Sequence, residues 1–330
     1  MQTPLYVHFL ENQDPDAFAF LKQALDPGIT LSVGALGDHP EAISILVAGY
    51  PTGAALKLLP NLKSLIIPWA GIAPEALELM CEYPHVSIHN LHHNALPVAE
   101  YALALLLSGA NSLIPVDRAL RTDDWRPRYT PTPSILVSGK TILILGYGHI
   151  GRAFAALLSG FNMTINATRS SIDSPVTEGS VSVFPASHLQ TLLPKADFLV
   201  VTLPLTKMTK GLIGNKELSL LPPGAVVVNI GRGELIDQAA LYRALKERSI
   251  FAAGIDVWYN YPQDEESRSR TQPADFSFHE LDNIVMSPHR AGGLFQKDKE
   301  KLKMAHLAEL LNLAARGTPM PNRVDPDKGY

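Results

Sequence analysis

The chain has a single cysteine, Cys81, in 330 residues. No disulfide framework can form within it, which suits a reducing compartment. Charge is scarce as well, at 18% of residues, and 28 basic against 32 acidic side chains leave a formal net charge of −4. There is no broad basic field to attract nucleic acid. The opening stretch, MQTPLYVHFL, lacks the basic residues and long apolar run of a secretory signal, so a cytoplasmic location is expected. One long apolar segment exists, ALPVAEYALALLLSGANSLIPV at 95–116. It contains Glu100, Asn111 and two prolines. A charge near a bilayer centre is costly, so a buried helix at a domain or subunit interface is expected and a membrane span is not.

What is present is apolar residue (46%) in a chain long enough for two domains. Short apolar runs alternate with helical stretches. The first series of strand candidates is 5–10, 43–49, 64–68 and 86–90. The second is 141–145, 163–168, 198–202, 225–230, 252–257 and 283–287. Runs that are nearly all apolar fit strands covered on both faces. Helices fit between them, for example 234–249. The rhythm predicts an α/β fold of doubly wound parallel sheets. The proline-rich, charged stretch 121–139 reads as a loop crossing between domains. A last helix, about 293–316, follows the second series and can return to the first domain, making that domain discontinuous. The tail after it reads as an irregular arm.

LILGYGHIG, 143–151, carries Gly146, Gly148 and Gly151 between a strand and a helix. In that context the glycines allow a tight turn, a close approach of pyrophosphate to backbone, and close helix–strand packing. The helix start then offers its amides to phosphate. His149 reads as an exposed neighbour of the pyrophosphate. Such a loop normally has an acid at the end of the next strand, to bind a ribose hydroxyl. That acid is missing: the strand ends in Arg169, Ser170 and Ser171, and Asp173 lies past the strand end. A guanidinium and two hydroxyls suit a 2′-phosphate, so NADP(H) is expected over NAD(H). Two further strand ends stand out. Arg232 sits between glycines after one strand, and can bind a carboxylate bidentately and polarise a neighbouring carbonyl. His289 follows Pro288 after the last strand, and can exchange the proton that accompanies hydride transfer.

PWAGI (68–72), NALPVAEYALALLL (94–107), LGYGHIGRAFA (145–155), VTLPLTKMTKGLIG (201–214), NIGRGELID (229–237), GIDVW (254–258) and SPHRAG (287–292) follow one another along nearly the whole chain. Together they resemble the D-isomer-specific 2-hydroxyacid dehydrogenases. The resemblance implies two Rossmann-like domains with a cleft between them. Residues 1–104 with 289–330 would bind substrate and 105–288 the dinucleotide. It implies a homodimer built on the long helix. It makes Arg232 and His289 the catalytic pair. The amides of Gly71 and Ile72, with Asn94, would hold the substrate. Asp256 would hold the nicotinamide carboxamide, and His149, Ile150, Pro204 and Thr209 would join the cofactor contacts. The subgroup with arginine after the second strand resembles glyoxylate/hydroxypyruvate reductases, which favour NADPH.

One departure matters. The family has Asp-Val-aromatic-x-x-Glu-Pro, whose glutamate partners the histidine; here the stretch is DVWYNYP, with Tyr261 at the glutamate position. Glu265 and Glu266 follow out of register. Alternatives are therefore a formate-like dehydrogenase, or a catalytically altered NAD(P)-sensing binding protein of the same fold. HNLHHN, 89–94, reads as cleft-lining histidines, since adjacent histidines rarely share one ion; no metal is expected. Trp69, Trp125 and Trp258 fit a cleft wall or plain core packing.

Overall fold

The computed structural model describes residues 4–292 and 297–326. They fall into two units, one built from residues up to 94 together with the C-terminal segment, the other from 95–292. The expected helix start at 293 and the last four residues of the expected arm lie outside the described residues.

The first unit is a five-stranded, all-parallel sheet of β1 (Leu5–Phe9), β2 (Ile29–Val33), β3 (Ile45–Val47), β4 (Ser64–Ile67) and β5 (Ser87–Asn90), in the order β2-β1-β3-β4-β5. Alternate residues feed two cores. Val7, Phe9, Ile45, Val47 and Ile66 join one, while Leu46, Leu65 and Ile67 join the other. The first core is covered by the helix Lys297–Ala315, which buries Met304, Leu307, Ala308, Leu310 and Leu311 there. Each large side chain so buried contributes about 1.5–3 kcal/mol before the entropy of ordering the helix is counted. The arm after it is not wholly irregular. The Val324 amide bonds the Ile88 carbonyl at 2.8 Å, Arg323 bridges His89, and Val324 is buried. This covers part of the β5 edge, which would otherwise offer unpaired backbone groups.

The second unit has eight strands: β6 (Thr141–Leu145), β7 (Thr164–Arg169), β8 (Val176–Glu178), β9 (Val181–Pro185), β10 (Phe198–Val201), β11 (Val226–Asn229), β12 (Ala252–Ile255) and β13 (Ile284–Met286). Their order is β13-β12-β11-β10-β6-β7-β9-β8, all parallel except the antiparallel pair β8–β9. Period-two alternation again splits each strand between two cores: Leu143 and Leu145 on one face, Ile142 and Ile144 on the other. Strand order reverses between β6 and β10, the switch point at which such sheets bind ligands.

The unit boundaries fall after residues 94 and 292 rather than at 104/105 and 288/289. The helix Ala95–Ala110 packs on β11, β12 and the helix His149–Leu157, so its whole length belongs with the second sheet. The loop after β13 stays there too, because Ala291 is buried in that unit's core. Among the described residues no single helix is long and apolar enough to cross a membrane. The helix expected over 234–249 is shorter, Gln238–Lys246: Asp237 caps it by accepting from the Ala240 amide at 2.8 Å, after a 3₁₀ turn at 233–235.

Candidate active site

The glycine loop links β6 to the helix His149–Leu157, with Gly148 as the capping residue. A Cβ on Gly151 would lie 2.3 Å from the Gly146 carbonyl oxygen, so helix and strand meet only because no side chain intervenes. Gly148 differs: a Cβ there meets nothing within 4 Å. The protein's own packing does not require glycine at 148, whereas a pyrophosphate drawn onto the helix amides would. On the other side of the switch point, the Thr202 hydroxyl donates to the Gly146 carbonyl at 2.7 Å. Thr209 donates to the Pro204 carbonyl, also at 2.7 Å, and accepts from the Thr206 amide. Pro204 and Thr209 thus shape the loop after β10. His149 is exposed and Ile150 half-buried in the first turn of the helix.

At the end of β7 the structure adds a residue the sequence did not reveal. Arg169 Nη1 donates to Glu178 Oε1 at 2.7 Å, and Glu178 Oε2 also pairs with Arg152. Arg152 lies over the Tyr147 ring, 4.6 Å from its centre. The two guanidiniums hold the Glu178 carboxyl below the usual carboxylate range. Arg169 is therefore not a lone cation. Ser170 and Ser171 follow it, both exposed.

The ends of β11, β12 and β13, neighbours in the sheet, carry the remaining groups. Asn229 braces the loop after β11, donating to the Arg232 carbonyl at 2.8 Å and accepting from the Gly231 amide at 3.1 Å. A Cβ on Gly233 would come within 2.3 Å of the Trp258 carbonyl oxygen, so glycine lets this loop lie against the one after β12. Arg232 is exposed and donates to the Gly231 carbonyl.

Asp256 is fully buried. Its carboxylate accepts from the Ser287 hydroxyl at 2.5 Å and from the Arg290 and Ala291 amides at 2.8 and 2.9 Å. Ser287 also bonds the Tyr101 hydroxyl at 2.8 Å. A charge so deep must be compensated by donors, and here the donors are the loop that carries His289. Asp256 fixes that loop from both sides of His289, whose backbone sits in the left-handed region at φ 57°, a conformation uncommon outside glycine.

Tyr261 stands at His289. Its hydroxyl lies 3.0 Å from His289 Nδ1 and accepts from the Trp258 amide at 3.1 Å. Glu265 and Glu266 do not fold back: they pair with Arg268 and Arg270 at 3.4 and 2.8 Å, on exposed side chains. Partial burial and the Arg232 charge hold the His289 pKa below 6.5, with Asp256 opposing. Burial raises that of Tyr261. Trp258 is core, its ring nitrogen donating to the Ser287 carbonyl at 2.7 Å, whereas Trp125 is exposed.

In the first unit, Gly71 and Ile72 follow β4 in a loop anchored by Asn90, which donates to the Ala70 carbonyl at 2.8 Å. Asn94 Oδ1 and both ring nitrogens of His93 are buried without a hydrogen-bond partner among the described residues. Burial, Lys299, Lys303 and His306 push the His93 pKa down to about 4. His89 bonds the Pro321 carbonyl and Ser87. Among the described residues no group of three or more His, Cys, Asp or Glu side chains could hold a metal ion.

Residues 103–291 match the family described as D-isomer specific 2-hydroxyacid dehydrogenase, NAD binding domain. A glyoxylate reductase of Thermococcus gammatolerans is 37% identical over 205 residues, 60% of this chain and 57% of that one. A glyoxylate/hydroxypyruvate reductase B of Yersinia pestis is 31% identical over 275 residues, 82% of this chain and 80% of that one. The chain thus spans little more than half the length of the first relative and four-fifths of the second. A D-isomer specific 2-hydroxyacid dehydrogenase from Xanthobacter autotrophicus Py2, solved with NADPH and MES, shares the fold with a TM-score of 0.78. It is 26% identical, and the match covers 99% of this chain and all of that one. Sequence and fold agree, and the chain belongs to the D-isomer-specific 2-hydroxyacid dehydrogenase family.

Proposed function

We propose that this chain is a reductase of small 2-keto acids such as glyoxylate or hydroxypyruvate, forming the D-2-hydroxy acid with NADPH in preference to NADH. The observation that carries the reading is the Tyr261–His289 contact of 3.0 Å, made where the Arg232 charge is felt by the same imidazole. Arg169, Ser170 and Ser171 support the 2′-phosphate cofactor, as does the NADPH bound to the Xanthobacter relative.

A bound nicotinamide would supply the hydride. The chain's residues do the rest. Arg232 pairs with the substrate carboxylate and draws density from the adjoining carbonyl. By the family resemblance, the amides of Gly71 and Ile72, with Asn94, are the first unit's own candidates for holding substrate. His289 in its protonated form gives the Nε2 proton to the oxygen that becomes a hydroxyl. Its Nδ1–H then points to the Tyr261 hydroxyl oxygen, which the Trp258 amide also holds. Asp256 keeps the histidine loop in place, and by the family resemblance it would also hold the carboxamide. The protein works as a homodimer in a reducing compartment.

Oxidation of NADPH and NADH, followed with glyoxylate, hydroxypyruvate and pyruvate, and reduction of NADP+ and NAD+, followed with formate, test the reading. Turnover with the first two is expected, with NADPH the better reductant. Cofactor binding with no turnover of any of the four overturns it in favour of an NAD(P)-sensing protein. Oxidation of formate would favour the formate-like alternative.

A further inference from the structure

From its position we infer that Glu178, on the β8–β9 hairpin, sets the cofactor choice by competing with a 2′-phosphate for Arg169. The inference rests on the reading of this unit as a nicotinamide dinucleotide domain. Two elements meet at the Glu178 carboxylate, the end of β7 through Arg169 and the first helical turns through Arg152, and the Arg152 guanidinium in turn lies over Tyr147 of the glycine loop. In such a sheet the adenosine ribose sits beside the end of the second strand, which here is β7. The carboxylate missing from the end of that strand is therefore supplied from the hairpin.

Glu178 acts oppositely on the two cofactors. Free 2′ and 3′ hydroxyls are donors, and a carboxylate held between two arginines can accept from them. A 2′-phosphate is an acceptor-only anion. It competes with Glu178 for Arg169, and it is repelled while Glu178 remains. Nη1 of Arg169 is occupied by Glu178, while its Nε is buried with no hydrogen-bond partner among the described residues. The fork is half used. A phosphate that displaced the carboxylate would find donors already in place. Both arginines keep Glu178 ionised at neutral pH, so the competition operates under ordinary assay conditions. The NADPH preference of the unmodified protein is then smaller than a free Arg169 would give.

The test measures Kd for NADPH, NADH, 2′,5′-ADP and 5′-AMP with the full-length chain and with Glu178→Gln, Glu178→Ala and Arg169→Ala. Glu178→Gln keeps the shape and removes the charge. It should tighten NADPH and 2′,5′-ADP about 10-fold or more, the size of one charge-assisted bond, while NADH and 5′-AMP weaken or stay within about 3-fold. Glu178→Ala should move the ratios the same way, and Arg169→Ala the opposite way. Ratios of Kd within about 2-fold of the unmodified protein, or parallel weakening of all four ligands, overturn the inference and leave Glu178 as a structural clamp. If the unmodified protein binds none of the four, the dinucleotide reading itself has failed. Melting temperatures of the variants separate loss of fold from loss of competition.

Discussion

Replacing Tyr261 with glutamate puts a charge where the protein now has a neutral hydroxyl, 3.0 Å from His289 Nδ1. Proton donation to the forming alkoxide needs the imidazolium. In the unmodified protein that form is disfavoured: partial burial and Arg232 hold the pKa below 6.5. Reduction is therefore present below that pKa and declines as pH rises through it. A carboxylate partner raises a histidine pKa by about 1–3 units. A Coulomb estimate gives the upper end, about 4 kcal/mol for unit charges at 4 Å and an effective dielectric of 20. His289 and Tyr261 are both more than a third exposed, so solvent screening leaves about one to two pH units. The descending limb of kcat/KM for keto-acid reduction should move alkaline by that amount in Tyr261→Glu. At a pH well above the original limb this is about 10- to 100-fold more acid form. Tyr261→Phe, lacking both the charge and the hydroxyl that holds the ring, should lower kcat without an alkaline shift. Glu265→Gln and Glu266→Gln should leave the limb in place, since their carboxylates pair with arginines. A limb that does not move in Tyr261→Glu, or that moves equally in Tyr261→Phe, refutes the reasoning.

Arg232→Ala should abolish turnover while cofactor affinity stays within about twofold, because the guanidinium serves the substrate and the glycine loop holds the dinucleotide; near-normal kcat/KM would show the assignment to be wrong. Arg169→Ala should remove about 1.5–3 kcal/mol of NADPH binding and leave NADH nearly unchanged, as read by fluorescence titration. His93 concerns stability. Its pKa is pushed down to about 4 in the fold, so the neutral form is favoured there. Its contribution is present above the unfolded value near 6.5 and is lost as pH falls toward 4. Discounted for partial exposure, this is about 1–2 kcal/mol. His93→Gln should flatten the fall in melting temperature over that window, and an unchanged slope would count against it.

Most of the second sheet was legible because its central strands are nearly all apolar, and the glycine spacing located the loop. β2 was missed because ITLSV alternates and is only half-buried. β8 and β9 were missed because VTE and VSVFP are short and mixed. That gap hid Glu178, and with it the fact that Arg169 has a partner nine residues away on an antiparallel hairpin. Spacing rules for parallel units carry no signal for such a pair. The Tyr261 position was legible from the register of DVWYNYP. The Asp256 bonds were not, because they depend on how the loop after β13 folds back over β12.

The division of the first unit has a consequence for synthesis. The helix Pro15–Ala24 covers part of the sheet face that carries Val7, Phe9, Ile45, Val47 and Ile66, through Ala17 and Leu21, but the rest stays open until the helix Lys297–Ala315 arrives. About 200 residues separate residue 94 from that helix. At about 5–20 residues per second the ribosome needs roughly 10–40 s to make them. The contiguous second unit can fold within that interval, while the first waits with an apolar face open to other chains. Chaperone dependence and aggregation of the nascent protein should therefore track mutations in the first 94 residues and the last helix, and be indifferent to equally destabilising changes in the second unit.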